Sequence, residues 1–232
     1  MAAAILDCAS RDEASRIAAV MAAKALEQDI RGQGFASLFV SGGSTPEGMF
    51  RMLRREALDW HRVTVGLVDE RWVPPDDAES NERLVRMHLL QDKAGAAGFL
   101  PMWMPACTPD DAAAARSVAY APHCGRASFV LLGMGLDGHT ASWFSGDPAL
   151  NGSMMAPASP AVVSVRAEGV CTPQRLTLSG GPVTKAKRAV LLVFGLEKRA
   201  KLNEARRVDP QTCPVRYAID GLGDRLSIVW AE

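Results

Sequence analysis

Three short stretches of this chain gather side chains able to do chemistry, and each is broken by glycine or proline. The first is "FVLLGMGLDGHTASWF", Phe129 to Phe144, an apolar run that turns on Gly133, Gly135 and Gly138. That is a literal G-x-G-x-x-G behind an expected strand, the spacing of a dinucleotide-binding turn. Such a turn needs a helix launched directly after its glycines, to face the pyrophosphate. Here Gly146, Pro148 and Gly152 break any such helix after about two turns. The acid expected on a ribose is also missing, because the region reads "PASPAVV" and Glu168 comes late. The same loop carries Asp137 and His139. Imidazole exchanges a proton near neutral pH, and a nearby carboxylate can orient it and stabilise its charged form. These two therefore read as working groups; a helix-capping Asp137 beside a surface His139 is the alternative.

"SGGSTP" is the second stretch, with Ser41, Gly42, Gly43, Ser44 and Thr45 between an expected strand and a helix opened by Pro46. Free N–H groups, hydroxyls and a positive helix end suit a phosphate group. No G-K-[ST] follows, so a nucleoside triphosphate is not implied; a plain turn with an N-cap is the alternative. The third stretch, "DERWVPPDDAESN", holds Asp69, Glu70, Arg71, Asp76, Asp77, Glu79 and Asn81. Asp69 and Glu70 are expected to fix Arg71, which could then grip a carboxylate-like or phosphate oxygen bidentately. Asp76, Asp77 and Glu79 read as solvated acids, and no histidine cluster accompanies them as metal ligands. Trp72 reads as a core residue or as a cover for a sugar face.

The elements around these stretches alternate. Ser10 and Glu13 form an S-x-x-E capping box ahead of a helix whose apolar stripe is Ile17, Val20, Met21 and Leu26. "FASLFVS", "VTVGLV", "ASFVLL", "AVLLVF" and "RLSIVW" read as buried strands, with "AVVSVR" and "RLTLS" as further extended pieces. "PEGMFRMLRRE", "ERLVRMHLL", "PDDAAAARSVAYA" and "LEKRAKLNEAR" read as helices, while "DERWVPPDDAESN" reads as a loop. This alternation predicts an α/β fold, a mostly parallel Rossmann-like sheet flanked by helices, in one domain over residues 1–232. Ligands of such sheets sit outside the carboxyl ends of the strands, where all three stretches should meet.

Bulk composition excludes other classes. The 26 basic and 26 acidic side chains balance, so no general field draws the chain to nucleic acid or anionic membrane. Five scattered cysteines (Cys8, Cys107, Cys124, Cys171, Cys213) contain no C-x-x-C pair, which argues against a disulfide framework or a zinc site. The start lacks the pattern of a secretory signal and no apolar run reaches membrane-spanning length, so a cytoplasmic location is expected.

Taken in order, "SGGSTP", "DERWVPPDDAESN", "GMGLDGHTASWF", "PQRLTLS" and "GLEKRAKL" resemble the signature segments of the 6-phosphogluconolactonases. The resemblance implies a fold like that of the glucosamine-6-phosphate deaminases and ribose-5-phosphate isomerases. It implies hydrolysis of 6-phospho-D-glucono-1,5-lactone without metal or organic cofactor, by a monomer or weak homodimer with no nucleic-acid or membrane partner. Within it His139 would be the general base, Asp137 its orienting partner and Arg71 the oxyanion's stabiliser, with Gly135 among the loop glycines. Ser41 to Thr45, Arg175 and Lys198 would hold the 6-phosphate, with Asp69 and Asn81 beside them. Two positions depart from the pattern: Trp143-Phe144-Ser145 replaces a common "LFP", and "CPVRYAI" carries Arg216 and Tyr217. The deaminases are the nearest rival, but their loop continues into F-N-E-P, whereas "ASWFSGD" supplies no acid before Asp147. A sugar-phosphate sensor would need an attached DNA-binding unit, and the residues ahead of "FASLFVS" leave no room for one.

Overall fold

The computed structural model describes residues 4–152, 154–170 and 172–232. Its strands in chain order are β1 (Ile5–Asp7), β2 (Ala36–Val40), β3 (Val63–Leu67), β4 (Asp69–Arg71), β5 (Gly98–Leu100), β6 (Phe129–Leu132), β7 (Val162–Arg166), β8 (Gln174–Leu178), β9 (Ala189–Phe194) and β10 (Leu226–Ala231). Between them run α1 (Arg11–Gln33), α2 (Glu47–Leu53), α3 (Asn81–His88), α4 (Pro109–Cys124), α5 (Gly180–Thr184), α6 (Leu196–Ala205) and α7 (Val215–Leu222). Seven strands form one sheet in the order β1-β10-β9-β6-β2-β3-β5, and every neighbouring pair in it is parallel. Strands β2, β6 and β9 are buried along almost their whole length, as expected where helices cover both faces. The Rossmann-like α/β expectation holds.

From β2 the chain builds outward through β3 to β5, and from β6 it builds the other way through β9 to β10. The order therefore reverses between β2 and β6, whose register pairs Leu38 with Phe129 and Val40 with Leu131. A crevice opens at such a switch point because the two following loops diverge to opposite sides of the sheet. Those loops are "SGGSTP" and "GMGLDGHTAS".

Three expectations are corrected. "DERWVPP" does not begin as a loop: Asp69 to Arg71 form β4, which pairs with β8 in a second, antiparallel sheet of order β4-β8-β7. A three-residue strand rich in charge carries no hydrophobic alternation, so its ladder partner, not its own sequence, defines it. In α1, Ile17, Val20 and Met21 are only half-buried, and the face against the sheet is Ala14, Ala18, Ala22, Ala25 and Leu26. Small side chains let the helix axis lie close to β2, β9 and β10, and that proximity outweighs the size of the apolar group. The Ser10 hydroxyl accepts from Glu13 N at 3.1 Å, but Glu13 returns its bond to Ala9 N at 2.7 Å, one residue before the cap.

Of the scattered cysteines, Cys8, Cys107, Cys124 and Cys213 are free thiols, while Cys171 lies outside the described residues. Among the described residues no helix is long and apolar enough to cross a membrane. Trp143 is fully buried and its indole N–H donates to Leu178 O at 2.8 Å, so this departure from the resembling pattern is a core residue under the loop. Trp72 packs beside Trp103 at the edge of the core, with ring centroids 6.3 Å apart.

Candidate active site

The loops after β2, β3 and β6 converge on a cleft of about 260 Å³ at the switch point. It is lined by Ser41, Gly42, Gly43, Ser44, Thr45, Asp69, Arg71, Asn81, Gly135, His139, Arg175 and Lys198, together with Gly133, Met134 and Ala141. Every candidate from the sequence thus borders the cleft except Asp137, which sits directly behind His139.

No helix begins behind the three glycines; Thr140 to Trp143 close a tight turn instead, with Trp143 N bonded to Thr140 O at 3.0 Å. The dinucleotide reading therefore loses its anion-facing helix. Asp137 Oδ1 lies 2.6 Å from His139 Nδ1 and also accepts His139 N at 3.2 Å. With Nδ1–H donating to the carboxylate, the free lone pair of a neutral ring is on Nε2. The same hydrogen bond holds the Asp137 carboxyl below its ordinary value. The imidazole rests against Phe144, with ring centroids 4.7 Å apart, and a Cβ placed on Gly135 would overlap the ring. From below, Val215 N donates to Gly138 O at 2.9 Å, so the segment around Cys213 and Pro214 braces the loop.

Arginine positioning differs from the expectation. Arg71 is held by Glu79, whose backbone and carboxylate oxygens accept from Nη1 at 2.7 and 3.3 Å, so Glu79, though solvent-exposed as expected, also positions the arginine. Glu70 does other work. It is buried and accepts from Arg71 N, Asn81 N, Glu82 N and the Ser80 hydroxyl, which fastens β4 to the start of α3. Burial pushes its carboxyl up to about 7, against the pull of those backbone donors. Asp69 accepts the Ser142 hydroxyl at 2.6 Å and stands 4.0 Å from Arg175 Nη1. The spacing of charges within "DER" could not show which acid turns toward which arginine, because a strand sends successive side chains to opposite faces.

Arg175 is no surface residue: it is 7% exposed and directly opposite Arg71 in the β4–β8 ladder. Burial lowers its guanidinium below the ordinary value, offset by Asp69, with Arg71 lowering it further. Phe144 lies 5.5 Å from the Arg175 guanidinium and so packs against both the His139 imidazole and this cation. Lys198, half-buried in the first turn of α6, is likewise lowered by burial and held up by the Asp137 charge.

On the other wall, the Ser41 hydroxyl donates to Leu131 O at 3.1 Å and is not a spare donor, whereas Ser44 is exposed at the rim. Asn81 Nδ2 donates to Asp69 O at 2.9 Å, and a Cβ on Gly42 would overlap the Asn81 amide, so only glycine admits it there. Asp147 caps a short turn through Ala149 N and does not reach the cleft, leaving Asp69 as the sole acid among the described lining residues. No group of three or more potential metal ligands occurs among the described residues. Ser142, Phe144 and Glu79 were missed as site residues; Ser142 and Phe144 lay inside the quoted loop, but nothing in spacing alone marks a serine as the anchor of a distant aspartate.

Sheet and cleft define a Rossmann-like α/β protein with its site outside the carboxyl ends of the strands. The chain belongs to the glucosamine-6-phosphate isomerase/6-phosphogluconolactonase family, whose model matches residues 9–228. It is 40% identical over 229 residues to a 6-phosphogluconolactonase of Rhizobium meliloti (strain 1021), covering 98% of this chain and 94% of that one. A crystal structure of a 6-phosphogluconolactonase from Shewanella baltica OS155 superposes with TM-score 0.94 at 29% identity, covering 99% of this chain and 98% of that one. A monomeric glucosamine-6-phosphate deaminase shares the fold at TM-score 0.78 and 20% identity, covering 98% of this chain and 97% of that one.

Proposed function

We propose that this chain hydrolyses 6-phospho-D-glucono-1,5-lactone to 6-phospho-D-gluconate, with His139 as general base. The observation that carries the reading is a histidine fixed through Nδ1 by Asp137 in the same cleft as two buried-edge arginines. A water placed against the lactone carbonyl loses its proton to His139 Nε2 as its oxygen bonds to C1. Asp137 keeps that nitrogen basic and then balances the imidazolium, an arrangement that contributes about 10²–10⁴-fold. The carbonyl oxygen becomes an oxyanion. Arg71, anchored through Nη1 by Glu79, borders the cleft and supplies the positive charge beside it. As the C1–ring oxygen bond breaks, the imidazolium returns its proton to that oxygen, which leaves as the 5-hydroxyl of the open acid.

Arg175 and Lys198, with Ser44, Thr45 and the backbone of Gly42 and Gly43, bind the 6-phosphate. Asn81 Oδ1, its amide nitrogen already committed, accepts from a sugar hydroxyl. The test is the rate of acid formation from freshly generated 6-phosphogluconolactone, read through a coupled dehydrogenase with spontaneous hydrolysis subtracted. Acceleration by the wild type and its loss in His139→Ala is the expected result. A folded wild type that leaves the spontaneous rate unchanged refutes the activity, and a fully active His139→Ala refutes the base.

A further inference from the structure

A second cavity, of about 500 Å³, lies at the opposite edge of the sheet from the active site. Its cations come from the residues that lead into three adjacent strands: Arg126 ahead of β6, Lys187 and Arg188 ahead of β9, and Arg225 ahead of β10, with Lys185 after α5. The length of β9 separates the two sites by about 20 Å at some 3.3 Å per residue. In a chain whose charges balance, this concentration is local.

The charges are also unspent. Asp29 is the one acid among the described residues lining the cavity, and Lys187 Nζ occupies it at 2.7 Å. Arg126, Lys185, Arg188 and Arg225 pair with no carboxylate among the described residues. Two of them are nonetheless fixed: Arg225 by the carbonyls of Ala186 and Gly221 at 2.8 Å each, Arg188 by that of Lys187 at 3.1 Å. Like charges held together without counterions raise the local potential and favour a multivalent anion.

We propose that this cavity binds a small anion bearing at least two phosphate groups. Its concavity admits a compact ligand, its four unpaired cations match more than one phosphate, and among the described residues no aromatic ring lines it to stack a nucleobase. Binding here is independent of the lactonase reading.

Calorimetric titration with inorganic triphosphate tests it on the wild type, Lys198→Ala, and Arg126→Ala/Lys185→Ala. The side chains of the last pair are exposed and make no hydrogen bond or ion pair among the described residues, so their removal leaves the fold intact. Saturable binding to the wild type should weaken by about tenfold or more for each cation lost. It should be retained in Lys198→Ala, which alters only the active-site cleft. Loss in Lys198→Ala with retention in the double variant would move the binding to the active site and overturn the proposal. Absence of saturable binding to the wild type would overturn it too, as would capture of polyglutamate but not triphosphate, which assigns the cavity to an acidic protein segment.

Discussion

Asp137 and His139, two residues apart in one glycine loop, are joined at 2.6 Å through the imidazole Nδ1. In the proposed mechanism the carboxylate acts on the base by fixing its tautomer, without touching the lactone. Asp137→Asn should present an amide that can donate to Nδ1 and move the ring proton to Nε2. We expect kcat to fall by up to about 10⁴-fold while 6-phosphogluconate still binds. An unchanged kcat would show that the pair is an incidental surface contact.

Gly135 gives a second handle on the same ring. An alanine there would press its methyl on the imidazole. Displacing a base by about 1 Å costs on the order of 10²-fold in rate. Gly135→Ala is thus expected to lose kcat with a native far-UV spectrum, and full activity would mean that the ring has room to retreat.

The phosphate-binding role separates by substrate. Removing a charged hydrogen-bonding partner costs about 1.5–3 kcal/mol, or roughly 10–100-fold. Arg175→Ala and Lys198→Ala should each raise KM for the phosphorylated lactone by that order and leave unphosphorylated gluconolactone turnover little changed. Equal losses on both substrates would assign the two cations to the reacting end.

Glu70 makes stability depend on pH. Because its folded value is about 7 against an ordinary 4.5, the folded chain retains a proton that the unfolded chain has released between those values. Its contribution is complete below pH 4.5 and is lost as pH rises through 7, amounting to about 3 kcal/mol over the window. Urea unfolding of wild type and Glu70→Gln at pH 5 and pH 8 reads this directly. The stability advantage of the wild type should shrink at the higher pH; a constant or growing advantage contradicts it.

Much of this was legible in the sequence because parallel strands are continuous apolar runs and the site loops follow them directly. "FASLFV" and "ASFVLL" declare themselves by burial on both faces, and the loops behind them inherit their position at the carboxyl edge. In the second sheet β7 and β8 were legible as extended pieces, but β4 was not. β4 is three charged residues defined by a partner strand more than a hundred positions away, at Gln174 to Leu178. With β4 unseen, Arg71 could not be matched to Arg175, nor Glu79 to Arg71. The alanine face of α1 was hidden for a different reason: a hydrophobic stripe weights large side chains, whereas helix–sheet proximity selects small ones.

The register that sets Arg71 opposite Arg175 has a mechanical meaning. Their separation is set by a backbone ladder, as on a caliper whose jaws share one beam. A slip of β4 by one residue would turn Arg71 to the face opposite Arg175 and part the two jaws, so no intermediate grip exists. The spacing of the two backbones therefore belongs to the whole sheet, and altering it requires rebuilding a strand pair rather than exchanging a side chain.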